Sequence, residues 1–166
     1  MWKTERKSVY EMIAFSIPNG SELCLKENVW DQFLLLQKKG EFTTENGGIL
    51  IGQLNPAEKR IILTDFTDAK ETDIRARFHF FRSEKYHQKT MDELWVASDY
   101  TKTYLGEWHT HDEDVPSPST TDIKEWRRIS KGQHNSSVLF FIIIGRRKIR
   151  IWTINHGNVT AVSGGK

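Results

Sequence analysis

The sequence predicts a mixed α/β domain whose sheet is largely antiparallel and connected by hairpins. Three observations predict it. Short apolar and β-branched runs recur between turn signals, stretches of helical period stand between those runs, and 166 residues suffice for one core of ordinary size. One domain spanning 1–166 is therefore expected.

Taken in order, "SVYEMIAFSI" (Ser8 to Ile17) is β-rich and closed by the turn signal "PNG", so it reads as a first strand. "KENVWDQFLLLQKKG" follows, with Val29, Phe33, Leu34 and Leu36 on a broad apolar side and Gly40 as a stop. It predicts a helix from about Glu27 to Lys39. "GGILIGQL" and "KRIILTDF", separated by "NPAE", form an antiparallel hairpin, and "RFHFFR" (Arg77 to Arg82) is a further strand. In "SEKYHQKTMDELWVAS", Ser83 is an N-cap and Met91, Leu94, Trp95 and Ser98 share one face, which predicts a second helix. "TYLGEWHTH" is strand-like, and "STTDIKEWRRIS" is helix-like with Ile123, Trp126 and Ile129 or Ser130 on one side. "SVLFFIIIG" and "RKIRIWTI" form a closing hairpin around "GRR". Residues 155–166, ending in "SGGK", are expected to be a flexible tail.

Composition narrows the function classes. Lys plus Arg number 24 against 22 Asp plus Glu, a formal charge of +2, too balanced for a chain built to bind phosphate backbones. "MWKTERKSVYEM" has no apolar region with a small-residue cleavage site. The longest apolar run, "VLFFIII" (Val138 to Ile144), is far short of the ~20 residues of a spanning helix. A soluble, cytoplasmic protein with neither nucleic acid nor membrane as partner is expected. The single cysteine, Cys24, excludes an internal disulfide and any Cys-x-x-Cys knuckle, and it fits a reducing compartment.

The passage "GEWHTHDEDVPSPSTTD" (Gly106 to Asp122) carries the chemistry. If Tyr104 to His111 is extended, a period of two puts His109 and His111 on one face and turns Trp108 to the other. The loop with two prolines then reaches Ser119 and Asp122 at the start of a helix, from where Asp122 can return to the histidine pair. Two imidazoles and a carboxylate are a ligand set for a catalytic zinc, which leaves its fourth position open. Hydrolysis at such a centre also needs a base.

His109-x-His111, seven residues, Ser119, two residues and Asp122 resemble the JAMM signature of the MPN-plus (JAB-domain) metalloproteases, and "ENGGILIG" offers Glu45 where that family carries its glutamate. "YLGEWHTH" and "HQKTMDELW" are similar to small bacterial JAB-domain isopeptidases of ubiquitin-like conjugation operons, including those of CBASS antiphage systems. The resemblance implies a curved mixed sheet flanked by helices, of cytidine-deaminase-like architecture. It implies one Zn2+ held by His109, His111 and Asp122, general acid/base catalysis by Glu45, and transition-state support by Ser119. It implies cleavage of the amide bond after the C-terminal glycine of a ubiquitin-like protein, in a conjugate or a precursor, with an E1- or E2-type enzyme and its target as further partners. Thr64 to Phe78 would border the cleft and pair with an extended substrate tail. Asp112 departs from the proline that many relatives carry there, which bears on loop shape and not on the ligand set.

Blander readings stand beside these. Ser119 and Asp122 also suit an N-cap and a first-turn carboxylate. Cys24 suits a core or surface thiol better than a nucleophile, His79 and His87 suit structural roles, and Trp95, Trp108 and Trp126 suit the core. "RRKIR" (146–150) suits a solvated hairpin. A zinc deaminase is disfavoured because its H-x-E and Cys-x-x-Cys pattern is missing. A non-catalytic MPN scaffold, or a peptidase acting on a sulfur-carrier protein or short peptide, stays open.

Overall fold

The computed structural model describes residues 12–68, 74–75, 80–81 and 84–164. Its first half runs β1 (Met12–Ser16), β2 (Glu22–Lys26), α1 (Glu27–Lys39), β3 (Gly47–Asn55) and β4 (Arg60–Phe66), then the short pair β5 (Ile74–Arg75) and β6 (Phe80–Phe81). The second half runs α2 (Glu84–Ala97), β7 (Lys102–Thr110), α3 (Thr120–Ser130), β8 (Leu139–Ile144), β9 (Ile149–Asn155), β10 (Asn158–Ala161) and β11 (Ser163–Gly164).

Nine strands make one mixed sheet in the order β10-β9-β8-β7-β3-β4-β2-β1-β11. Its pairs are antiparallel except β2 with β4 and β7 with β8. The predicted hairpin of β3 and β4 is present, closed by a short 3-10 turn at Pro56–Glu58. A parallel pair needs a crossover, and α3 supplies the one between β7 and β8. That crossover carries the chain from the histidine strand back to it.

The core lies on both faces of the sheet. On one, α1 sets Val29 and Phe33 against Leu23, Leu25, Leu50, Leu63, Trp108 and Phe140. On the other, α3 covers Phe141, Ile143 and Trp152 with Trp126 and Ile129, and α2 covers Ile49 and Ile51 with Met91. β8 serves both faces, so all six of its residues are buried and it reads as an unbroken apolar run. Each fully buried Phe, Leu or Ile contributes on the order of 1.5–3 kcal/mol.

Several expectations need correction. β2 is an additional strand; it passes directly into α1 with no turn between, so no punctuation marks it. Leu34 and Trp95 are exposed, at 41 and 42%. Trp95 instead stacks edge-on with Tyr100 at the end of α2. The expected tail from residue 155 is largely strand. β10 pairs with β9, Val162 N donates to Ile151 O, and Ser163 and Gly164 pair with Ser16 and Phe15 of β1. Residues 158–164 thus link the two ends of the sheet, which is curved and nearly closed. Ser8 to Glu11, Arg77 to His79 and Ser83 lie outside the described residues, as do 69–73 and 76–78 of the expected substrate segment. Among the described residues no helix is long and apolar enough to cross a membrane.

Candidate metal centre

β7 delivers the two histidines. Its register on β3 pairs Gly47 with His109 and Gly48 with Trp108, then shifts: Leu50 faces Gly106 and Ile51 faces Tyr104, leaving Leu105 as an extra residue. The bulge puts Leu105 and Trp108, three residues apart, into the same core, while Tyr104 and His109 face the α2 and α3 side. Simple alternation therefore holds only beyond Gly106. Gly106 is required there: its φ is +133°, and a Cβ would stand 1.7 Å from Phe140 O. Trp108 is buried in the α1-side core and its Nε1 donates to Thr67 O at 2.8 Å, as expected of a core tryptophan.

The other side chains arrive from three directions. His111 N donates to Ile144 O, which extends the pairing with β8 past the end of β7. Asn46 exchanges two hydrogen bonds with Thr110, one to its backbone N–H and one to its hydroxyl, and this anchors Glu45 beside His111. Ser119 caps α3 in a capping box: its Oγ accepts from Asp122 N at 3.0 Å and its N–H donates to Asp122 Oδ2 at 2.8 Å. The cap fixes the carboxylate of Asp122 towards the histidines.

One ligand atom each from His109, His111 and Asp122 lie within 4.8 Å of one another. His111 Nε2 is 3.2 Å from Asp122 Oδ2 and 3.6 Å from Glu45 Oε1. His109 Nε2 is 3.4 Å from Asp122 Oδ1, and among the described residues it is the buried side-chain polar atom that no hydrogen bond satisfies. A buried nitrogen aimed at a carboxylate and a second imidazole, yet satisfied by no hydrogen bond, is the chemistry of a metal ligand. The donor set fits a divalent cation such as zinc.

Burial shapes the electrostatics. Glu45 is 3% exposed, and its pKa is pushed up to about 8, mainly by burial; His111 opposes this and Asp122 reinforces it. Burial would also raise Asp122, but the two imidazoles close beside it, His109 first, and the Ser119 N–H outweigh it and hold the carboxyl well below the usual range. Burial lowers His111, yet Asp122, Glu45 and Glu113 together raise it.

A family model described as prokaryotic homologs of the JAB domain matches residues 26–155. The chain belongs to this Prok-JAB family. Curated relatives named "CD-NTase/cGAS isopeptidase" match it. One, from Escherichia coli (strain TW11681), is 36% identical over 66% of this chain and 67% of its own length; one from Vibrio cholerae is 33% identical over 72% and 74%. The solution structure of a Desulfitobacterium hafniense protein shares the fold, with a TM-score of 0.58, 17% identity, and coverage of 82% of this chain and 87% of that one.

Within this Prok-JAB domain the structure brings together His109, His111, Asp122, Ser119 and Glu45. It leaves others apart. Cys24 is a buried β2 side chain whose thiol burial pushes up, which suits a core thiol. His87 is fully buried, with Nδ1 2.6 Å from the Thr67 Oγ that also takes the Ile49 N–H. His79 lies outside the described residues. Reasoning from sequence missed Glu113, whose Oε1 is 3.0 Å from His111 Nδ1, and a loop has no period that would have singled it out. The "RRKIR" turn is more than a solvated hairpin, because Arg146 pairs with both Asp112 and Asp114. Asp112, where many relatives of JAMM type carry proline, is tied down by that pair.

Proposed function

We propose that this Prok-JAB domain is a zinc-dependent isopeptidase that cleaves the amide bond after the C-terminal glycine of a ubiquitin-like protein. The observation that carries the reading is the unsatisfied His109 Nε2, converging with His111 Nε2 and Asp122 beside a buried glutamate. His109, His111 and Asp122 would hold the metal. When bound, it supplies a Lewis acid that polarises the scissile carbonyl and makes water acidic near neutral pH.

The remaining steps belong to the chain. Glu45 takes a proton from the attacking water at a carboxylate oxygen as the new C–O bond forms and the carbonyl oxygen gains charge; it then passes the proton to the amine nitrogen as the carbonyl re-forms and the C–N bond breaks. Burial makes this carboxylate more basic than an exposed one, which favours taking the proton from water. Ser119 accepts from Asp122 N through its oxygen, which leaves its own O–H to donate to the developing oxyanion at the mouth of α3. The burial of His109, His111 and Glu45 excludes bulk water and strengthens each of these interactions.

The isopeptidase name of the relatives supports a conjugate as substrate; a ubiquitin-like protein in that conjugate, an E1- or E2-type enzyme and the conjugated target as partners, and a cytoplasmic antiphage system as setting, complete the proposal. The test pairs metal analysis with single-turnover cleavage of such a conjugate. Wild-type protein should hold about one zinc and cleave it. His109→Ala should do neither, and cleavage by metal-stripped protein would end the proposal.

A further inference from the structure

His111 shows two nitrogens to two different settings. Nε2 faces Asp122 and Glu45, whereas Nδ1 lies 3.0 Å from Glu113 Oε1. In a neutral imidazole the two carboxylates compete for one proton; Glu113 at Nδ1, 3.0 Å away against 3.2 Å for Asp122 at Nε2, draws it to Nδ1 and leaves the Nε2 lone pair on the opposite side. Glu113 sits in the loop between β7 and α3, and a loop carries such a side chain accurately only if something holds it.

The turn between β8 and β9 does so. Arg146 N donates to Glu113 O at 2.7 Å, and the N–H groups of Arg147 and Lys148 donate to Asp114 O at 3.0 and 3.1 Å. Arg146 pairs with Asp112 and, through Nε, with Asp114 Oδ1 at 3.1 Å; Arg150 Nη1 donates to Pro116 O at 3.2 Å. From α1, Gln37 Nε2 donates to Gly145 O at 2.9 Å. Gly145 lets the loop and the turn meet, since a Cβ there would stand 2.5 Å from Pro116 Cδ and 2.7 Å from Glu113 O. An exposed ion pair adds little by itself. Here the backbone bonds dock the two segments, and the Arg146 pairs fix which loop residues lie against the turn.

We infer that Glu113 is a positioning residue for His111 and that the Gly145–Lys148 turn is the brace that carries it. This rests on the metal reading above. The test is zinc affinity by chelator competition on the metal-free chain, together with the His111 tautomer read by nitrogen NMR at alkaline pH. Wild type should bind zinc and carry the His111 proton on Nδ1. Glu113→Ala should bind zinc about 10- to 100-fold more weakly, the scale for removing such a partner, and shift the His111 proton to Nε2, where Asp122 still accepts it, at an unchanged melting temperature. Glu113→Gln, whose amide oxygen still accepts from Nδ1–H, should keep most of the affinity. Arg146→Gln should weaken binding by less than Glu113→Ala, and Arg146→Lys should restore part of the loss. Wild-type affinity and tautomer in Glu113→Ala would overturn the inference. Failure of the wild type to bind zinc would instead overturn the metal reading, and the tautomer in metal-free protein would still decide whether Glu113 orients His111.

Discussion

The carboxyl of Glu45 is buried beside His111 and Asp122, and its pKa of about 8 has a consequence for stability. In the unfolded chain the group releases its proton near 4.5; in the fold it keeps it until about pH 8. The folded state therefore binds one more proton across this window, and metal-free protein loses stability as pH rises through it, on the order of 1 kcal/mol for each pH unit. His111, also raised, acts in the same direction from its ordinary value upward. Glu45→Gln removes the Glu45 share. Metal-free Glu45→Gln should melt higher than metal-free wild type at pH 8, with the difference vanishing near pH 4.5. The same variant should keep zinc yet cleave at least ~10²-fold more slowly, as measured in single turnover. A glutamine that cleaves at the wild-type rate would remove Glu45 from the mechanism. The motif residues were legible because they recur at fixed spacings. Glu113 was not, because its role depends on which loop oxygen meets the far side of His111, and no spacing encodes that.

Two elements aim the site, and each can be tested alone. The bulge of β7 depends on Gly106, whose positive φ and contact with the Phe140 backbone leave no room for a side chain. Gly106→Ala should cost at least ~2 kcal/mol in denaturant unfolding and weaken metal binding with it, since His109 hangs from the same strand. At the start of α3, the cap and the proposed chemistry share one hydroxyl. Ser119→Ala should cost ~0.5–2 kcal/mol through the lost cap, whereas Ser119→Gly should cost only a few tenths. Both should cleave up to ~10²-fold more slowly if the hydroxyl supports the oxyanion. Equal cleavage by wild type and Ser119→Gly would leave Ser119 with the cap alone. Helical period revealed α1, α2 and α3, and β-branched runs around "NPAE" revealed β3 and β4. β2 escaped because "ELCLK" is short, charged at both ends and joined to α1 without a turn. The bulge was written in the spacing of Leu105 and Trp108, but a strict period of two hides it.

At the scale of the molecule, the sheet is closed by a segment that composition alone marks as a tail. "NVTA" and "SG" have too few apolar residues to predict strands, and they become strands because β9 and β1 offer them unpaired edges. Truncation after His156 should expose both edges, lower the denaturant midpoint and promote association seen by light scattering. Unchanged stability would mean that closure contributes nothing. The same closed sheet holds β3, β7 and the start of α3 in one frame, so the proposed ligands and base come together without an induced rearrangement. If that frame makes one hydrolytic zinc site, activity must follow the metal. The decisive quantity is the rate of conjugate cleavage as zinc is added stepwise to metal-free protein. Activity should rise in proportion to zinc and level off at about one equivalent per chain. Full activity before any zinc is added, or none at any ratio in protein that has bound it, would mean that the site is no hydrolytic zinc centre.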